Sequence, residues 1–195
     1  MHIVRKPIAS ELAEIKRIMG ESFAGDNVFA AFDVDGRKRE LVCAYMACYV
    51  DFAIACKKLY ANEQGNGFVV LQRENISHPL REMKLERKLA AAIPADCLAG
   101  LNAFASEVAD TSSRYRLNPH LELMNLCVDE RCRGKGLGGE IVDCCKQEAS
   151  RQGVPLVLDT DMPGNRDMYL HMGFELYRSF TATNGITRYN LVWLP

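Results

Sequence analysis

The sequence is poor in several features that announce a function at once. Its eight cysteines (Cys43, Cys48, Cys56, Cys97, Cys127, Cys132, Cys144 and Cys145) form no CxxC pair and no Cys/His zinc spacing, which argues against a structural metal. A formal net charge of −1 supplies no global field for nucleic acid or anionic lipid. The opening MHIVRKPIASELAEI lacks the pattern of a signal peptide, so reduced thiols in a cytoplasmic protein are the expectation. The longest apolar stretch, LVCAYMACYVDFAIAC, is broken by Asp51 and falls short of the roughly 20 residues a membrane span requires. Repeats, low-complexity tracts and linkers are also missing. A single domain over residues 1–195 is the economical reading.

What is present reads as alternating helix and strand. Ser10 and Glu11 suggest an N-cap, after which Leu12, Ile15, Met19 and Phe23 fall on one helical stripe. A second stripe runs through Leu41, Tyr45, Cys48, Phe52 and Ala55. Residues 57–63 and 67–73 flank QGNG as a hairpin. Residues 79–110 read as helix broken near Pro94, charged and solvent-facing before the break. Beyond it Leu98, Leu101, Phe104 and Val108 form a stripe. A strand over His120–Val128, a glycine cluster, a helix over 136–152, a strand over Val154–Thr160, a short helix and a closing hairpin complete the chain. TNG supplies the last turn, with Asn184 and Gly185 suited to positive φ.

The glycine cluster CRGKGLGG lies where a strand enters a helix, so unpaired backbone N–H groups sit beside the positive end of a helix dipole. Three ligands compete for it. A nucleotide P-loop fails, because Gly136 and Leu137 follow Lys135 where a serine or threonine is needed. Gly134, Gly136 and Gly139 satisfy G-x-G-x-x-G, and Asp159 stands at about the ~20-residue separation of a dinucleotide site. Too little chain follows Gly139 for a doubly wound sheet, and that chain ends in a hairpin. The third pattern is Arg133-x-x-Gly136-x-Gly138.

This third pattern resembles the acetyl-CoA pyrophosphate loop of the GNAT superfamily of N-acyltransferases. The passage LCVDERCRGKGLG is similar to that family's strand-to-loop segment. Downstream, LDTDMPGNRDMYLHMGFELY resembles its second signature, with Asn165 and Tyr169 ahead of Gly173-Phe174. The resemblance implies an α/β (α+β) GNAT-like fold: a mixed, mostly antiparallel sheet whose central parallel strands splay apart, flanked by helices. Acetyl-CoA would enter as co-substrate without a metal. Backbone groups at Leu126, Cys127 and Val128 would pair with the pantetheine arm. Arg133, Gly134, Lys135, Gly136, Leu137 and Gly138 would hold the pyrophosphate, and Asn165 would cap the short helix or contact CoA.

Acetyl transfer to an amine needs a base for the ammonium and a donor for the departing thiolate. The resemblance implies Tyr169 as the acid and Glu122, in the strand before the loop, as the base. Strand alternation puts Glu122 and Met124 on one face, with His120 two residues earlier as its partner or substitute. His171 reads as structural. No histidine stands beside Cys127 or Cys132 in sequence, so direct transfer is expected rather than an acyl-cysteine. The stretch SFAGDNVFAAFD and residues 79–110 would wall the acceptor cleft, with Asp26, Asp33 and Asp35 available to attract a cation. The expected acceptor is a small-molecule or peptide amine, with no nucleic-acid or membrane partner. A CoA-binding sensor without catalysis and a nicotinamide-binding protein are the other two readings.

Overall fold

The computed structural model describes residues 1–73 and 77–195. A two-residue strand β1 (His2–Ile3) leads into helix α1 (Ala9–Phe23), a 3₁₀ segment (Asn27–Phe32) and helix α2 (Lys38–Ala55). Then come β2 (Leu59–Ala61), β3 (Gly67–Arg73), α3 (Pro79–Ala92), α4 (Ala95–Val108) and the single turn α5 (Arg114–Leu117). Strand β4 (Leu121–Val128) feeds helix α6 (Leu137–Gln152) through a 3₁₀ turn. The chain closes with β5 (Leu156–Thr160), α7 (Pro163–His171), β6 (Glu175–Thr181) and β7 (Thr187–Trp193).

Several local expectations shift. Helix α1 begins ahead of Ser10, because the Glu11 carboxylate accepts the Ile8 N–H at 3.0 Å and extends the helix toward Pro7. In α2 the buried residues are Leu41, Val42, Met46, Val50 and Ala53, a face rotated from the predicted stripe. This helix is apolar nearly all round, so its periodicity does not select one face. Asn184 keeps negative φ, and the last turn relies on Gly185 alone, at φ +81°. Helix α3 buries no residue, whereas α4 buries Cys97, Leu101, Phe104 and Val108.

The seven strands form one sheet in the order β1-β2-β3-β4-β5-β7-β6, and every adjacent pair but β4–β5 is antiparallel. A single parallel pair rules out a doubly wound dinucleotide sheet. Both faces are covered. On β3, Phe68 and Val70 pack toward α1 and α2, while Val69 and Leu71 join Ile141, Val142 and Cys145 of α6.

The decisive feature lies in β4. Val70 pairs with Asn125 but Leu71 pairs with Leu123, so Met124 is an extra residue, a β-bulge. It reverses the alternation: Leu121 and Leu123 pack on the α6 side before it, Leu126 and Val128 after it. Parallel pairing with β5 covers only Leu121–Leu123 against Leu156–Leu158. Beyond the bulge β4 pairs with β3 alone, and Asp159 and Thr160 of β5 pair with β7 alone. The two central strands therefore part at Met124 and leave a gap.

Candidate active site

Two cavities open into that gap. The first, of about 430 Å³, lies along the far half of β4 and the glycine loop. Its walls include Leu126, Cys127, Val128, Arg133, Gly134, Gly136, Leu137, Gly138 and Asn165, nine of the ten positions expected to bind the cofactor. Lys135 is exposed and does not contribute. Gly134 and Gly136 take φ of +75° and +81°, a left-handed backbone costly for any residue with a Cβ. Gly136 is the N-cap of α6, so the loop backbone lies at the helix start, where the dipole adds positive potential. Arg133 folds over the loop, with Nε 3.4 Å from the Val128 carbonyl and Nη2 3.4 Å from Ser22 Oγ.

The loop is held from outside by a charge clasp. Buried Asp129 accepts from the Arg131 backbone N–H at 3.0 Å, from the Arg131 guanidinium, and from Arg17 of α1 at 3.0 Å. Glu14 bonds both arginines. The Arg131 hydrogen bonds hold the Asp129 carboxyl far below the ordinary range.

The second cavity, of about 300 Å³, lies on the other side of the gap. Phe23 of α1, Phe29 of the 3₁₀ segment, Tyr45 and Tyr49 of α2 and Leu101 of α4 supply its apolar wall. Phe29 meets the rings of Phe32 and Tyr45 edge-on, each at 5.2 Å between centroids. Helix α4, not α3, closes this wall. The polar floor comes from Glu122, Asp159, Asp161 and Arg188.

That floor is an ion network. Arg116 of α5 bonds Glu122 Oε1 at 2.5 Å and Asp159 Oδ1 at 2.6 Å. Arg188 of β7 bonds Asp161 at 2.5 and 2.9 Å and lies 3.6 Å from Asp159. Burial works against the charge on Arg116, but Asp159 and Glu122 outweigh it and hold the guanidinium firmly protonated.

The two cavities share Phe23, Asp26, Leu126, Asn165 and Tyr169. A group at this seam touches both compartments. Tyr169 is 7% exposed and packs edge-on against Phe174 at 5.6 Å. Burial, with Cys145 and Asp26 nearby, pushes its phenol well above the ordinary tyrosine range, so it keeps its proton. Residues 99–176 match the family model of the acetyltransferase (GNAT) domain.

The chain has the GNAT fold.

Its fold is shared over nearly the full length of solved structures. One is a mosquito arylalkylamine N-acetyltransferase-like protein, like 5b: 14% identity, TM-score 0.62, covering 100% of this chain and 98% of that one. A second is a Drosophila melanogaster polyamine N-acetyltransferase that forms N-acetylagmatine: 15% identity, TM-score 0.56, 100% of both chains. A third is a chain of the NatC complex bound to Gag peptide and CoA: 13% identity, TM-score 0.52, 100% of this chain and 99% of that one. At such identities the likeness carries the GNAT fold and nothing finer. No curated protein matches the chain in sequence.

Within this GNAT fold the expected site residues separate. Tyr169 and Asn165 stand at the seam and Glu122 on the acceptor floor. Asn165 does not cap α7: Met162 is the N-cap, its N–H taken by Thr160 Oγ1 at 3.3 Å, and Asn165 is left to face the gap. His120 lines neither cavity. It is buried at the foot of β4 with Nδ1 2.8 Å from the Asn118 carbonyl. His171 is exposed at the end of α7, its Nδ1 2.7 Å from the Asp167 carbonyl. Asp33 and Asp35 are exposed and line neither cavity; Asp26 lines both. All eight cysteines are free, and no cluster able to hold a metal occurs among the described residues. No helix among them is long and apolar enough to cross a membrane. Sequence reasoning did not find the Arg116–Asp159–Arg188 network, whose members come from three separate elements.

Proposed function

We propose that the protein is an N-acetyltransferase that moves an acetyl group from acetyl-CoA to a primary amine by direct attack within a ternary complex. The observation that carries this reading is the meeting of two cavities at Tyr169 and Asn165, one shaped as a phosphate-binding cleft and the other as an acceptor pocket. The glycine-loop amides and Arg133 suit a pyrophosphate. The backbone edge of β4 beyond Met124 suits an extended amide-bearing arm that pairs as a strand would. An acyl group carried on that arm reaches the seam, where an amine in the second cavity can approach it.

In the step itself, the amine nitrogen bonds to the thioester carbon and the carbon–sulfur bond breaks. Counted from the free amine, the products are an amide and CoA thiol, because the proton the nitrogen sheds balances the one the sulfur gains. Tyr169 donates its hydroxyl proton to the departing sulfur and is restored by the proton shed from the nitrogen, a role supported by its position and by a phenol that stays protonated. Two arrangements support direct transfer over an acyl-cysteine. Cys127 is buried, and burial pushes its thiol up to about 12, far from the thiolate a nucleophile needs. Cys132, in the loop, has its sulfur beside the Asn66 amide at 3.4 Å rather than beside a base.

The test is acetyl-CoA-dependent release of CoA thiol against a panel of arylalkylamines, polyamines, amino acids and lysine peptides. Release with one class establishes the activity. Tight acetyl-CoA binding with no release from any member favours a CoA-binding sensor instead.

A further inference from the structure

The acceptor cavity is lined by four carboxylates, Asp26, Glu122, Asp159 and Asp161, yet they are not equivalent. Glu122 and Asp159 share Arg116, and Asp161 is gripped by two nitrogens of Arg188. Among the described residues the carboxylate of Asp26 makes no hydrogen bond or ion pair. Its backbone takes the N-cap position of the 3₁₀ segment, but its side chain does not bond back to that segment. The segment is held over the gap independently, by the Asn27 side-chain amide donating to the Asp161 carbonyl at 3.0 Å. Asp26 is therefore positioned at the seam with its acceptor oxygens uncommitted.

We infer that Asp26 is the carboxylate that receives the ammonium of the acceptor and takes its proton, and that the acceptor is a monoamine with an uncharged aromatic or similarly flat apolar body. The inference rests on the acetyltransferase reading above and refines it. One uncommitted carboxylate matches one ammonium. The remainder of the acceptor meets Phe23, Phe29, Tyr45 and Tyr49, which favour a flat apolar group, whereas further cationic groups would have to compete with Arg116 and Arg188 for carboxylates that already bond them. The proton passes from R–NH₃⁺ to the Asp26 carboxylate. The freed amine then attacks the thioester, and the carboxyl returns the proton to solvent.

The electrostatics agree with this geometry. Burial and the charge of Asp161 raise the Asp26 carboxyl to about 6, opposed by Lys38 at the start of α2. The other charged or titratable groups of the surrounding walls are Tyr45, Tyr49, Glu122, Asp159, Tyr169 and Arg188 on the acceptor side and Cys127, Cys132 and Arg133 on the cofactor side. Because the ionised form does the work, activity must rise with pH through a limb near 6 and fall away below it.

The test compares the full-length wild type with Asp26→Asn, Asp26→Glu and, as a charge control, the exposed Asp35→Asn. Turnover with phenylethylamine, agmatine and spermidine is followed across pH at saturating acetyl-CoA, with CoA affinity and thermal midpoint as checks on folding. The expected result is a kcat/KM at least about tenfold higher for phenylethylamine than for either polycation. Asp26→Asn should lose roughly 100-fold of it and the limb near 6, keeping CoA affinity. Asp26→Glu should recover part of both, and Asp35→Asn should behave as wild type. Asp26→Asn turning over within threefold of wild type with the limb intact overturns the inference, as does a tenfold preference for spermidine or agmatine. If the wild type acetylates none of the amines, the same variants are titrated calorimetrically with phenylethylamine after loading with CoA. Binding that Asp26→Asn weakens tenfold then supports the docking role while the transferase reading fails. Equal binding in both, or none in the wild type, overturns it.

Discussion

The two sides of the gap are built by opposite strategies. The cofactor cleft draws most of its wall from one continuous stretch, residues 126–138, and offers chiefly backbone amides and carbonyls. The acceptor cavity gathers side chains from α1, the 3₁₀ segment, α2, α4, β4, β5, α7 and β7, and offers aromatic rings and an ion network. A backbone-lined cleft depends on chain conformation, so two glycines at positive φ do much of the specifying. A side-chain-lined cavity depends on which residues converge, so it can be retuned without disturbing the strand, loop and helix that hold the cofactor.

That division can be tested by asking which measurement each side disturbs. The largest effect is expected from Arg188→Leu, which strands buried Asp161 without its partner. A loss of about 3–5 kcal/mol in urea unfolding is predicted. A loss below about 1 kcal/mol would show that the ion network does not hold the acceptor wall together. Next, Tyr169→Phe should lower kcat by roughly 100-fold while CoA affinity stays within about threefold. A parallel fall in affinity would reassign the hydroxyl to cofactor binding. Gly136→Val forces a β-branched residue to φ +81°, at a cost of about 1–2 kcal/mol or more, and should weaken CoA roughly tenfold by titration with little change in the KM of the amine. The smallest change is expected from Lys135→Ala. Although it sits between the two turn glycines, Lys135 lines neither of the two cavities, and its removal should leave CoA affinity within about twofold.

The same division governs how much could be read from the sequence. The loop was legible because its requirement is local: a strand, then glycines at fixed offsets from Arg133, then a helix. Tyr169 and Asn165 were legible for the same reason, within a second short signature. Asp26 was singled out only together with Asp33 and Asp35, as acidic loop residues able to attract a cation, and no motif set it apart from those two. An aspartate between Gly25 and Asn27 looks like any solvated loop residue until α7, β4 and β5 are folded around it. The partners of Glu122 were equally hidden, since Arg116 and Asp159 reach it only through the fold. The face of α2 was misassigned because an all-round apolar helix has no stripe to find, and its Tyr45 and Tyr49 turned out to line the acceptor cavity. One signal was present and went unused. The apolar positions Leu121, Leu123, Leu126 and Val128 slip out of step at Met124, which is how a bulge looks in a sequence.

That bulge also has a mechanical side. The half-sheets β1–β4 and β5–β7 are joined by pairing across only three residues of each central strand. On one face α6 straps this short seam, its Ile141 and Cys145 packed in the same cluster as Leu121 of one half and Leu156 of the other. On the opposite face, next to Glu122 and Asp159, the seam borders an open cavity instead of a second strap. The sheet is thus bound like a book, with α6 along the spine and the pages parted at the end where Met124 begins the opening. A molecule laid in that opening would touch both halves at once, Leu126 of one and Tyr169 of the other.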